Sequence, residues 1–223
     1  MLHPLNIAAM HQMLTPPPRE RLAQDTPKSR RTRVRILDAA MRMFAELGYH
    51  NAANAQIAEA AGITRGAMLY HFPTREDLVA AAVGHIQALR MVRLQEVGIE
   101  RPAGADPSDH AIDAYWSLLS ETPFVAFAEL EGVARTEPAV REALAPAQAE
   151  FDRAQIGEQP IAQGGAAARL QTGRDFARFL LEGLARARLT YDAPERTEHL
   201  MTVIKRATHM LNRKGAEADL WAD

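Results

Sequence analysis

Residues 56–72, Gln-Ile-Ala-Glu-Ala-Ala-Gly-Ile-Thr-Arg-Gly-Ala-Met-Leu-Tyr-His-Phe, constrain the fold more than any other stretch of this chain. Two short helices that cross steeply need a small residue where the first touches the second. They also need a turn residue tolerant of positive φ, and an apolar residue on the second helix facing back. Ala58, Gly62 and Met68 stand at those separations. The spacing predicts helices over about 54–60 and 65–71, with Ile57 and Ile63 sealing a small core against Phe44 and Leu47.

The flanking segments extend this unit. Ile36, Ala39, Ala40, Met43, Phe44 and Leu47 follow the stripe of an amphipathic helix, with Thr32 as its expected N-cap and Gly48 as its stop. Pro73 ends the 65–71 helix. Thr74 then caps a longer one over about 75–97, with Glu76 and Asp77 in its first turn. Further helices are predicted over 107–120, 123–135, 138–153, 174–190 and 194–213. Residues 157–173, rich in glycine, read as a loop with a helical piece at 165–171. No strand pattern appears, and Ala, Leu and Arg are frequent, so the fold class is all-α with about nine helices. The expected organisation is a disordered tail over 1–27, a three-helix helix-turn-helix domain over 28–75, and a larger helical domain over 76–223.

Charge divides along the same line. Residues 1–75 hold 10 Lys/Arg and 5 Asp/Glu, a net of +5, while residues 76–223 carry a net of −7. A basic segment on an acidic body points the first part toward a polyanion. The chain has no cysteine, which excludes disulfides, thiolate metal sites and thiol nucleophiles and suits a reducing compartment. No apolar run approaches membrane-spanning length and no signal peptide is seen, so a cytoplasmic location without membrane contact is expected. No metal-ligand spacing of the His-Glu-x-x-His type, Gly-rich phosphate loop or nucleophile elbow is found. Neither enzyme activity nor a cofactor is expected, although His85, His110, His199 and His209 would be an enzyme's raw material.

The helix crossing frees the outer face of the 65–71 helix. Thr64 offers a hydroxyl to phosphate, and Arg65 has the fork geometry to pair with guanine or phosphate. Gly66 and Ala67 are small enough for close approach to base edges, and Tyr70 and His71 can donate to phosphate oxygens.

These residues, with Arg35-Ile36-Leu37-Asp38-Ala39-Ala40, Gly48-Tyr49, Ile57-Ala58, Ala60 to Ala67, Tyr70-His71-Phe72 and Arg75-Glu76-Asp77-Leu78, resemble the TetR family of bacterial repressors over about 31–80. The resemblance implies that Arg65, Gly66 and Ala67 approach bases. It implies that Tyr70, His71 and Arg75 grip phosphates and that the segment around Thr32 meets the DNA backbone. Two positions depart from the family pattern. Ala52-Ala53 stand where Thr-Thr or Thr-Ser is usual, so Asn51 or Asn54 is expected to cap the second helix. Leu69 stands where tyrosine is frequent, which gives a basic arm at Lys28, Arg30, Arg31 and Arg33 more of the expected contact.

The resemblance further implies a homodimer through the last two long helices, a double-stranded DNA operator of pseudopalindromic form, and release by a small-molecule effector, with repression the family default. Phe176, Leu180, Gly183, Leu184 and Ala187 on one helix, and Leu200, Ile204, Ala207 and Leu211 on the next, are the candidate interface; the first of these stripes also fits an intrachain core. His85, Tyr115, Trp116, Phe127, Glu129 and Arg178 are candidate effector contacts, as aromatic or polar residues in apolar helices that equally fit core or surface. A nonspecific architectural DNA binder is the rival among DNA-binding functions, and the acidic C-terminal half argues against it.

Overall fold

The computed structural model describes residues 26–99, 101–156 and 166–212; the expected tail lies outside them except for Thr26 and Pro27. Among the described residues there are nine α-helices and no strand: α1 Pro27–Leu47, α2 Asn54–Ala60, α3 Arg65–His71, α4 Arg75–Ile99, α5 Pro107–Leu118, α6 Thr122–Val133, α7 Pro138–Ile156, α8 Ala166–Arg188 and α9 Pro194–Asn212. None of them is long and apolar enough to cross a membrane.

By packing, the described residues form two compact units, one from residues up to 93 with 121–152 and one from 94–120 with those from 153 on. In the first, α1 packs against α2 and α6. Its buried face carries Ile36, Leu37, Ala39, Ala40 and Phe44. Phe72, Leu78, Ala82, Ile86, Phe127 and Leu130 join the same core. Burying a phenylalanine such as Phe44 contributes enough that truncation to alanine costs about 3–5 kcal/mol. The guanidinium of Arg90 is also buried in this unit. It lies 3.7 Å from the Phe127 ring centre and 4.2 Å from that of Phe151, and it donates to Gln87 Oε1 at 3.0 Å.

The start of α1 corrects the sequence reading. Thr26 is the cap, its Oγ1 accepting the Ser29 amide at 3.2 Å, and Pro27 takes the first helical position, where its missing N–H costs nothing. Thr32 sits a turn and a half inside, its hydroxyl donating to the Lys28 carbonyl at 3.1 Å. Lys28, Arg30, Arg31 and Arg33 therefore lie on a helix and do not form an extended arm.

The second unit holds α5, α8 and α9, with α9 against α8 and α5. Asp106 caps α5 by accepting the amides of Ser108 and Asp109 at 2.8 and 3.1 Å. The Asp109 amide is the largest influence holding the Asp106 carboxyl below its ordinary pKa; desolvation opposes it, and Ser108, His209 and Arg101 add to the lowering. Polar ties join the helices: Tyr115 donates to Glu182 at 2.6 Å, Lys205 to Asp113 at 2.7 Å, and His209 Nε2 lies 2.9 Å from Asp109. The loop expected over 157–173 is corrected where it can be described. Helix α8 already runs from Ala166 through Gly173, which is buried; 157–165 lie outside the described residues. A glycine inside a helix costs only about 1 kcal/mol against alanine, less than close packing can return.

The turn between α2 and α3 is the tightest point of the first unit. Gly62 has φ +65°, and a Cβ there would lie 2.9 Å from Arg35 Nη2. Left-handed backbone costs a side-chain-bearing residue about 1–2 kcal/mol. Gly62→Ala is therefore expected to lower unfolding stability by at least that amount in urea titration. An unchanged midpoint would show that the turn has another way to close.

Candidate nucleic-acid interface

Helices α2 and α3 have seven residues each, too few to be stable alone in water. Their ends are tied down one by one. At the C-terminus of α2 the Gly62 amide donates to Glu59 O at 2.9 Å and the Ile63 amide to Ala58 O at 3.0 Å. These are the paired bonds of a Schellman ending, which needs a residue at positive φ where Gly62 stands. Arg35, reaching from α1, donates to the Ala61 carbonyl at 2.5 Å. Thr64 caps α3, its Oγ1 accepting the Ala67 amide at 3.1 Å. At the far end of α3, Arg33 donates to the His71 carbonyl at 2.9 Å, and its guanidinium lies 4.4 Å from the Phe72 ring centre.

The predicted crossing is present: α2 packs on α3, and Ala58 and Met68 are both buried. Ile57 is fully buried and Ile63 partly so, against the core that holds Phe44. Leu47, expected to complete that seal, is exposed at the last position of α1, and Tyr49 beyond it packs against the core.

The start of α2 differs from both alternatives read in the sequence. Ala53 holds the cap position without a side-chain bond of its own. Only the reciprocal half of a capping box is chemically possible, and it is made: Gln56 Oε1 accepts the Ala53 amide at 3.0 Å. Asn51 turns back to donate to Leu47 O at 2.9 Å, and Asn54 Oδ1 accepts from Arg75 Nη1 at 3.0 Å. Arg75 also donates to the carbonyls of Ala52 and Tyr49 at 2.7 and 2.9 Å. A guanidinium with these partners is engaged inside the protein, unlike the phosphate grip implied by the resemblance.

What remains outward is the α3 face. Thr64, Arg65, Gly66, Leu69 and Tyr70 are exposed, with Tyr70 at 62%, while Ala67 and His71 are partly covered. The Tyr70 and His71 rings meet edge-on with centres 5.3 Å apart. Gly66 is helical, and a Cβ added to it would find nothing nearer than Thr64 Oγ1 at 4.0 Å. Nothing among the described residues requires glycine there.

The other candidates fall in different places. In the first unit Phe127 is core, His85 Nε2 lies 2.6 Å from Asp38 Oδ1, and Glu129 accepts the Tyr49 amide at 2.8 Å. In the second unit Tyr115 is buried on Glu182, Trp116 lies under Arg188, and Arg178 is near Glu182 and stacks on Phe179. On α8, Phe176, Leu180, Gly183 and Ala187 are exposed and Leu184 is partly so. Phe179, not anticipated from sequence, is 59% exposed on the same face; its signal was its spacing three after Phe176. On α9 the expected stripe turns inward: Ile204 is buried and Leu200, Ala207 and Leu211 are partly buried, leaving Val203 and Met210 as the exposed apolar residues.

The fold and this face define a helix-turn-helix protein with further helices attached. Residues 36–82 match the family described as bacterial regulatory proteins, tetR family. The chain is 43% identical over 51 residues to the HTH-type transcriptional regulator AcrR of Shigella flexneri, covering 23% of this chain and 24% of AcrR. It is 34% identical over 113 residues to the HTH-type transcriptional repressor LfrR of Mycolicibacterium smegmatis, covering 48% of this chain and 54% of LfrR. The matches thus span about a quarter to a half of these relatives' lengths. The crystal structure of the multidrug binding protein EbrR complexed with imidazole aligns over 84% of this chain and 98% of its own, with a TM-score of 0.57 and 22% identity, a likeness of fold. The helix-turn-helix segment, residues 36–82, is thus of the tetR-family kind.

The Thr64 cap carries its own test. Thr64→Ala is expected to lower stability by about 1 kcal/mol, whereas Thr64→Ser keeps the acceptor and stays close to the parent. Equal stability of all three proteins in denaturant titration would remove the cap from the account.

Proposed function

We propose that the chain is a ligand-responsive transcriptional regulator, a repressor, that binds a pseudopalindromic DNA operator as a homodimer through α3. The observation that carries the reading is Gly66. A helical glycine costs roughly 0.5–1 kcal/mol relative to alanine, and no contact among the described residues calls for it. A residue kept bare on an exposed helix, between Arg65 and the hydroxyl of Tyr70, leaves space for something outside the chain to come close. Base edges in a major groove fit that space, with Arg65 as the fork for guanine and Ala67 as an apolar contact. Thr64, Tyr70 and His71 supply donors to phosphate on either side, and Thr32 lies on the outer part of α1.

The dimer reading rests on the exposed α8 face of Phe176, Phe179, Leu180 and Gly183, together with Val203 and Met210 of α9. Large apolar side chains grouped on one face mark association surfaces. A two-fold pair would set two copies of α3 into successive major grooves, roughly 34–36 Å apart. The small-molecule effector is supported by the likeness of fold to EbrR, which is described as a multidrug binding protein. An effector releases DNA only to the extent that it prefers the non-binding state.

Gly66→Ala separates structure from recognition. The free protein is expected to gain about 0.5–1 kcal/mol in stability while binding to sites selected from random DNA falls at least tenfold. Arg65→Ala should relax the selected base preference at one position per half-site, and Tyr70→Phe should weaken binding to all sequences alike. Unchanged selection and affinity in both Gly66→Ala and Arg65→Ala would refute the assignment of α3. Phe179→Glu should convert the dimer to monomer in sedimentation; a persisting dimer would place the interface elsewhere.

A further inference from the structure

The family resemblance implies that Arg75 grips phosphate, and Glu129 is a candidate effector contact; in the structure both bond the same peptide. Tyr49 lies in the 48–53 loop between α1 and α2. Its amide donates to Glu129 Oε1 of α6 at 2.8 Å, and its carbonyl accepts from Arg75 Nη2, at the start of α4, at 2.9 Å. The Arg75 guanidinium also lies 4.7 Å from the Tyr49 ring centre and 5.4 Å from that of Phe44. Its other amino group holds Ala52 O and Asn54 Oδ1, the latter on the first residue of α2. Gly48 makes room for the carboxylate: it has φ +80°, and a Cβ there would lie 3.0 Å from Glu129 Oε1.

We infer that Glu129 and Arg75 are positioning residues for DNA binding, a two-armed clamp by which α6 and α4 fix the 48–53 loop and through it α2 and α3. The inference rests on the proposed DNA-binding role of α3. Three facts support the clamp. Ala53 gives α2 no side-chain cap, so the start of that helix depends on Arg75 and Gln56. Hydrogen bonds to charged groups are worth about twice neutral ones, and both bonds to the Tyr49 peptide are of that kind. Helix α2 in turn packs on α3, so a displaced loop displaces the outward face. The clamp also gives α6 a direct hold on the DNA-binding element.

The test uses Arg75→Met and Glu129→Met, which keep much of each side chain's length and remove the bonding atoms, with Glu129→Gln retaining an acceptor. Hydrogen exchange is read on the free full-length protein, and affinity and its salt dependence on sites selected by the parent. The clamp predicts faster exchange at residues 49–54 in both methionine variants, with Glu129→Gln close to the parent. It predicts about tenfold weaker DNA binding with an unchanged salt slope. A phosphate contact by Arg75 would instead lower the slope by about one phosphate's worth and leave exchange in the free protein untouched. That result, or unchanged exchange in either methionine variant, overturns the clamp, as does Glu129→Gln behaving like Glu129→Met. Should Glu129→Met fail to fold, Arg75→Met decides by the same two readouts. If the parent selects no DNA site, the functional reading fails while the exchange result still judges the clamp.

Discussion

Two seven-residue helices cannot hold themselves together in water, and the first unit is arranged around supplying what they lack. Nucleating so short a helix fixes several residues for one or two hydrogen bonds. The deficit is met from outside: Ile57 and Met68 are buried in a core built by α1, α4 and α6. The free ends are met by side chains, with Arg35 on the last turn of α2, Thr64 on the first turn of α3 and Arg33 on its last. Remove the surrounding helices and neither short helix has a reason to persist.

The same economy changes the meaning of the positive charge. The net of +5 over residues 1–75 points toward a polyanion. Yet Arg33, Arg35 and Arg75 each place their guanidinium on backbone carbonyls of the helix-turn-helix. A guanidinium carries five donors in a planar fork, so one side chain can hold a carbonyl and stack on a ring at once. These arginines still contribute to the long-range field around the unit. Their short-range bonding capacity is directed inward, while Arg65, Gly66, Leu69 and Tyr70 on the outer face of α3 are exposed.

Much of the architecture was legible because it rests on local chemistry. Prolines at 107, 138 and 194 begin helices α5, α7 and α9, and Gly48 and Gly62 take the positive φ their positions require. Where local signals competed, sequence reasoning chose wrongly. Thr26 and Thr32 are both plausible caps, and Pro27 after Thr26 was the deciding signal. Asn51 and Asn54 both suit a cap, but Leu47 O and Arg75 claimed them through contacts outside the reach of a local pattern. Gly173 suggested a loop and is instead buried within α8.

The sequence by itself determined the helix-turn-helix: its two short helices, its glycine turn, its small and apolar crossing residues, and which side of α3 faces out. Those features repeat within a turn or two of helix, and short-range sterics and hydrogen bonding decide them. Only the tertiary structure decided what the long side chains do. Arg75 reaches residues more than 20 positions away, Glu129 reaches 80 positions to Tyr49, and Ile204 turns inward because α9 packs on α8 and α5. A flexible charged side chain takes its partner from whatever the fold brings within about 3 Å, and neither periodicity nor spacing carries that information.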